Sequence, residues 1–120
     1  MKQRLVVMNG QRVVQTTPPG TVSFEAANNV VVGKANGLKP GVYNLYSSLP
    51  ADKQQSYSGQ ILHADKESVF QKTGVNIIKH SRSDFDKVPE IGSVISISYN
   101  AQGRAESAAA TMQQGRGLKR

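Results

Sequence analysis

Short apolar runs, each a few residues long and fenced by turn residues, set the pattern of this chain. Leu5-Val6-Val7-Met8 and Gln11-Arg12-Val13-Val14-Gln15 flank Asn9-Gly10. Asn-Gly between two β-rich runs predicts a two-residue hairpin, because a type I′ turn needs positive φ at both central positions. Thr16-Thr17-Pro18-Pro19-Gly20 then ends the strand, since proline cannot donate to a ladder. Val22-Ser23-Phe24 and Val30-Val31-Val32 are strand-like. Leu38-Lys39-Pro40-Gly41 predicts a turn that feeds Val42-Tyr43-Asn44-Leu45-Tyr46, whose alternation puts Val42, Asn44 and Tyr46 on one face and Tyr43 with Leu45 on the other.

Beyond a polar loop at 47–56, the same writing continues. Ile61 and His63 are expected to share a strand face opposite Leu62. Asp65-Lys66-Glu67 is a turn, Val69-Phe70-Gln71 returns the chain, and Gly74 breaks it before Val75-Asn76-Ile77-Ile78-Lys79-His80. Residues 81–86 suit one helical turn with Ser81 or Ser83 as its cap. Pro89-Glu90-Ile91-Gly92 introduces Val94 to Tyr99, in which Ile95, Ile97 and Tyr99 form an apolar face against Ser96 and Ser98. Residues 105–120 hold good helix formers without an apolar stripe and predict a frayed helix running into disorder. The fold class expected is mostly β: a small bent sheet or partly open β-barrel, with an N-terminal hairpin and a flexible C-terminal tail. The expected organisation is a single β domain over 1–100 and a basic tail over 101–120.

Charge sharpens this picture. The net charge is +7. Residues 1–50 carry five basic side chains against Glu25, for +4; residues 51–99 are neutral; residues 100–120 carry four against Glu106, for +3. A basic excess at both ends suits an acidic partner or a phosphate backbone. The chain has no Cys, which excludes disulfides, thiolate metal sites and thiol catalysis. The longest N-terminal apolar run is too short for a signal-peptide core or a membrane span, so the expected setting is soluble and cytoplasmic, with no membrane partner.

Candidate chemistry is sparse. His63-x-Asp65 with His80, and Asp84 or Asp86 near by, could make a metal or acid–base cluster, but Asp65 opens a turn where its carboxylate would bond its own backbone. There is no nucleophile motif and no glycine spacing that cradles phosphate. The expectation is therefore no enzyme, no metal and no cofactor. Tyr43 and Tyr46 are the candidate partner-binding aromatics, while Tyr99 is expected to be structural. Lys2, Arg4, Arg12, Lys34 and Lys39, with Arg116, Lys119 and Arg120 of the tail, are the candidate nucleic-acid contacts. No helix-turn-helix, zinc-finger or basic-zipper pattern is present, so any DNA contact would run through phosphates.

Five segments also carry a resemblance. Lys39-Pro40-Gly41-Val42-Tyr43-Asn44-Leu45-Tyr46, Tyr57-Ser58-Gly59-Gln60-Ile61-Leu62-His63, Val69-Phe70-Gln71-Lys72-Thr73-Gly74 and Ile78-Lys79-His80, followed by Pro89 to Tyr99, resemble the KfrB-type domain of conjugative plasmids and integrative elements. The opening Met8 to Gln15 is similar to the start of small stand-alone members. The resemblance is best over 38–100. It implies an accessory protein of stable maintenance or conjugative transfer, with a plasmid-encoded protein as partner, and supplies no catalytic residues. The reading that results is a non-enzymatic protein-binding adaptor, able to homodimerise through a sheet edge. The alternatives are a sequence-independent DNA-binding protein using its basic ends, an anti-defence inhibitor of a host complex, and a metal enzyme on His63, Asp65 and His80.

Overall fold

A computed structural model describes residues 2–18, 20 and 27–109. They form two open sheets, in two compact units divided between Ser48 and Leu49. The chain is mostly β, as expected, and its sheets do not close into a barrel. Val22-Ser23-Phe24 and residues 110–120 lie outside the described residues.

The first unit begins with β1 (Gln3–Met8) and β2 (Gln11–Thr16), paired antiparallel. Asn9 and Gly10 both adopt positive φ, at 53° and 74°, which is the geometry their pairing in sequence demanded. β3 (Asn28–Lys34) and β4 (Gly41–Tyr43) complete a sheet of order β3-β2-β1-β4. The strand expected to run to Tyr46 stops at Tyr43. A 3-10 turn, Leu45–Ser47, follows and drops Leu45 into the core. Leu5, Val7, Val14, Leu38 and Leu45 are buried together with the polar Thr17, whose hydroxyl accepts from the Lys2 amide at 2.7 Å.

The second unit holds β5 (Leu49–Pro50), β6 (Tyr57–Ala64), β7 (Ser68–Thr73), β8 (Asn76–Ser81), β9 (Val94–Tyr99) and β10 (Ala105–Ala109). Their order is β10-β9-β6-β7-β8-β5, with β5 parallel to β8 and the other pairs antiparallel. Ile61, Val69, Phe85 and Ile97 form its buried centre. Burial of such side chains contributes about 1.5–3 kcal/mol each.

Three local expectations are corrected. Ile61 and His63 do not alternate about Leu62: Ile61 pairs with Gln71 and His63 with Phe70, a bulge at Leu62, and all three side chains are buried. Arg82–Asp84 forms a 3-10 turn with Ser81 at its cap position, but no serine side chain caps it. Residues 105–109 are a strand, not the start of a helix. Asn100 Oδ1 accepts from the amides of Gln102 and Arg104, both at 3.0 Å, and Gly103 takes φ 76°. That turn returns the chain onto β9, and sheet pairing overrides the helix propensity of the alanines.

Candidate partner-binding surface

Register defines what the first sheet shows to solvent. Leu5 pairs with Val14 and Tyr43, and Val14 with Val30; Leu5 and Val14 are buried in the core, while Val30 at the sheet edge is exposed. One position along, Val6 pairs with Val13 and Val42, and Val13 with Val31. Val42, Val6, Val13 and Val31 therefore form one apolar row across all four strands of the opposite face. Its ends are open: Val31 is 57% exposed and Val42 53%. On either side run Arg4, Gln15 and Asn29, and Met8, Gln11 and Lys34. β3 adds an edge strand in which Val30, Val31 and Val32 are all exposed. Such a surface is costly to leave in water and is the usual mark of an interface.

The basic candidates separate into two kinds. Arg12 is buried. It shares the core face with Val14, its Nε donates to the Lys34 carbonyl at 2.7 Å, and its guanidinium lies over Gly33, where a Cβ would push the arginine aside. Desolvation pulls its pKa below the usual arginine value. The sequence-based assignment of Arg12 to phosphate binding is corrected on that ground: it is a structural residue. Lys2, Arg4, Lys34 and Lys39 keep their charges at or near the surface. Arg4 Nε donates to Gln15 Oε1 at 2.6 Å, and Lys2 Nζ lies 4.8 Å from the ring centroid of Tyr46. Tyr46 is exposed. Tyr43 turns inward instead, donating to the Lys39 carbonyl at 2.7 Å, and partial burial raises its pKa. Arg116, Lys119 and Arg120 lie outside the described residues.

The second unit resolves the histidine chemistry. Gln71 Nε2 lies 2.9 Å from the Ile95 carbonyl, 3.2 Å from that of Gly59 and 3.3 Å from that of Tyr57. Carbonyls only accept, so the amide nitrogen must face them and Oε1 must face His80 Nε2, 2.9 Å away. His80 therefore carries its proton on Nε2, and Nδ1 accepts from the Tyr99 hydroxyl at 2.6 Å. Burial holds the His80 pKa down to about 4, against a smaller opposing pull from Asp84. The Tyr99 pKa is pushed up to about 12, by desolvation and then by Asp84 and Tyr57. Both ring nitrogens of His80 are thus committed to the fold.

Asp65 is committed too. Its Oδ1 accepts from the amides of Glu67 and Ser68 at 2.8 and 2.7 Å. His63 lies against Phe70, with ring centroids 6.1 Å apart. Among the described residues no three His, Asp or Glu side chains gather as metal ligands, so the His63–Asp65–His80 constellation is not assembled. A cleft of about 510 Å³ lies beside β9 and β10, lined by Val88, Ile95 and Ala105 with Asp86, Glu90 and Glu106. Arg104 pairs with Asp86, and the Ser93 hydroxyl donates to the Glu90 carbonyl at 2.6 Å.

Comparison with known proteins matches this architecture to a family. The KfrB Domain matches residues 56–109, which is β6 through β10 and so includes the strand that the sequence alone assigned to the tail. "Protein TraB" of Escherichia coli is 34% identical over 105 residues, covering 84% of this chain and 68% of that protein. The alignment is longer than the 72 residues of the second unit, so the likeness extends into the first. With a KfrB sheet in the second unit and a relative spanning both units, the chain belongs to the KfrB-domain family.

Proposed function

We propose that this plasmid-related protein is a non-enzymatic accessory factor of stable maintenance or conjugative transfer, working as a protein-binding adaptor in the cytoplasm. The observation that carries the reading is the row Val42–Val6–Val13–Val31, an apolar stripe across a sheet face with half-buried Val6 and Val13 at its middle and exposed Val31 and Val42 at its ends. The groups that could have served catalysis point the same way, because His80, Gln71, Tyr99 and Asp65 spend their hydrogen bonds on the fold. The test is a complementation assay of plasmid retention and transfer with Val31→Glu/Val42→Glu. Both side chains are more than half exposed, so the variant is expected to fold and to lose function. Full function in the folded variant would overturn the adaptor reading.

A second reading is phosphate-directed DNA binding. Lys2 stacked over the exposed Tyr46, with Arg4 two residues along, supports it, since an aromatic ring beside cations suits a single strand. Fluorescence anisotropy across a salt series tests it. Affinity that falls as salt rises supports this reading, and no binding at low salt removes it.

A further inference from the structure

We infer that the outer edge of β3 pairs antiparallel with β3 of a second copy of this chain, about a two-fold axis that passes through the sheet at Val30. The phase of the ladder gives the register. The Thr17 amide donates to the Lys2 carbonyl at 2.9 Å, and hydrogen-bonded pairs alternate along an antiparallel ladder, so Gln15, Val13 and Gln11 also turn their backbone groups to β1. Arg12, Val14 and Thr16 turn theirs the other way, to β3. Val14 pairs with Val30 and Thr16 with Asn28, so Val30 and Asn28 bond β2, and the N–H and C=O groups of Asn29 and Val31 point out of the sheet edge. Asn28 to Val32 are all exposed, which makes this edge a template for another strand. With Val30 opposite Val30, Asn29 of each copy lies against Val31 of the other. Those pairs join the outward groups of both copies in four backbone hydrogen bonds, and the two Val30 side chains meet in the closer, non-bonded pair between them.

The register is symmetric, so both copies are satisfied at once and the contact closes. The opposite edge of the sheet, β4, has only three residues, which disfavours head-to-tail growth. The bulge at Val32 turns β3 away beyond Val31 and confines the pairing to this stretch. Lys34 of one copy lies eight residues from Lys34 of the other along the paired strands, about 26 Å at about 3.3 Å per residue. That is well past a Debye length of about 8 Å, so like charge does not oppose the pair. Val31 comes to lie diagonally beside Val31 of the second copy on the same face, and the two valine rows become one surface across eight strands.

The experiment uses the full chain. Sedimentation equilibrium over a concentration series is expected to show a reversible dimer, since a single strand pair is a small interface. Hydrogen exchange at the amides of Asn29 and Val31 is expected to slow as concentration rises, while that at Val30, already bonded to β2, does not. Val30 is more than half exposed in the single chain, so Val30→Lys and Val30→Glu are expected to fold, which thermal melts verify. Either variant alone is expected to weaken the dimer at least about tenfold (about 1.4 kcal/mol), because like charges then face each other across the axis. An equimolar mixture of the two is expected to associate again, with lysine facing glutamate. Val75→Lys, at an exposed turn position of the second unit, is expected to leave the dimer unchanged. A monomer at every concentration, a dimer that Val30→Lys does not weaken, or a mixture that associates no better than its components would overturn the inference. So would a dimer that Val31→Glu/Val42→Glu dissociates and Val30→Lys spares, since the copies would then stack by the valine face. Val30 lies outside the valine row, so these outcomes are read separately from the plasmid assay of the adaptor reading.

Discussion

The hydroxyl of Tyr99 donates to Nδ1 of His80 across 2.6 Å, closing a chain of hydrogen bonds that begins at three backbone carbonyls and passes through the side chain of Gln71. Tyr57 and Phe85 meet the imidazole edge-on, with ring centroids 5.6 and 5.9 Å away. The network ties β6, β7, β8 and β9 together from inside the sheet. It is a polar core whose members are mutually specified, and such a core is costly to disturb at any one point.

Acid should weaken the second unit through His80. Its pKa is about 4 in the fold against about 6.5 when unfolded, so between those values the unfolded chain binds more protons. Stability from this group is fully present above about pH 6.5, falls as pH drops toward 4, and changes no further below. At about 1.4 kcal/mol per pKa unit the total is at most about 3–4 kcal/mol. Urea melts of the wild type and of His80→Gln at pH 7.5 and pH 4.5 measure it. The gap between wild type and variant should narrow at pH 4.5, and a constant gap would contradict the assignment.

Gln71→Leu should be among the most damaging substitutions in this unit. It keeps the volume nearly constant but leaves the buried Nε2–H of His80 without its acceptor and takes the side-chain donor away from the carbonyls of Tyr57, Gly59 and Ile95. Each orphaned buried group costs about 1–3 kcal/mol. Tyr99→Phe removes a single bond, to Nδ1, and should cost about 1–2 kcal/mol. Thermal denaturation would rank them, and a Tyr99→Phe loss equal to or greater than that of Gln71→Leu would refute the proposed order.

Gly59 is held by a close approach and not by a turn. A Cβ there would overlap the carbonyl oxygen of Lys72, a backbone atom that cannot move without parting β6 from β7. Gly59→Ala should therefore cost more than the gain of about 0.5–1 kcal/mol that alanine brings to an ordinary strand interior. A destabilisation above about 2 kcal/mol is expected in chemical denaturation. A neutral or stabilising result would show that the strands have room to separate.

What the sequence disclosed follows from the range of the interactions involved. Asn9-Gly10 was legible because its two positive φ angles are a local matter. The strand at Val94–Tyr99 was legible because its alternation and its preceding turn sit within a few residues. The bulge at Leu62 was not, since it exists only in the pairing of β6 with β7. The valine row was hidden for the same reason: Val6, Val13, Val31 and Val42 are neighbours only once four strands are in register. Two signals were present and outweighed. Asn100 and Gly103 announce a turn after the best strand, which the helix-forming alanines beyond them masked. Arg12 sits two residues from Val14 and so on the same strand face; its charge suggested solvent, its parity the core.

That parity leads to a separation between two arginine and lysine positions on the same hairpin. If DNA is bound through phosphates, Lys2→Gln should weaken it and lower the slope of log affinity against log salt by about 0.9 on duplex, with little effect on stability. Arg12→Gln should do the reverse. Its guanidinium fills the space over Gly33 and bonds the Lys34 carbonyl, so the loss appears as destabilisation of the first sheet, about 1–3 kcal/mol, while the salt slope of the remaining folded protein is unchanged. Anisotropy titrations at several salt concentrations, paired with thermal melts, read both quantities on each variant. A reduced salt slope for folded Arg12→Gln would return that arginine to the binding surface and refute its structural assignment.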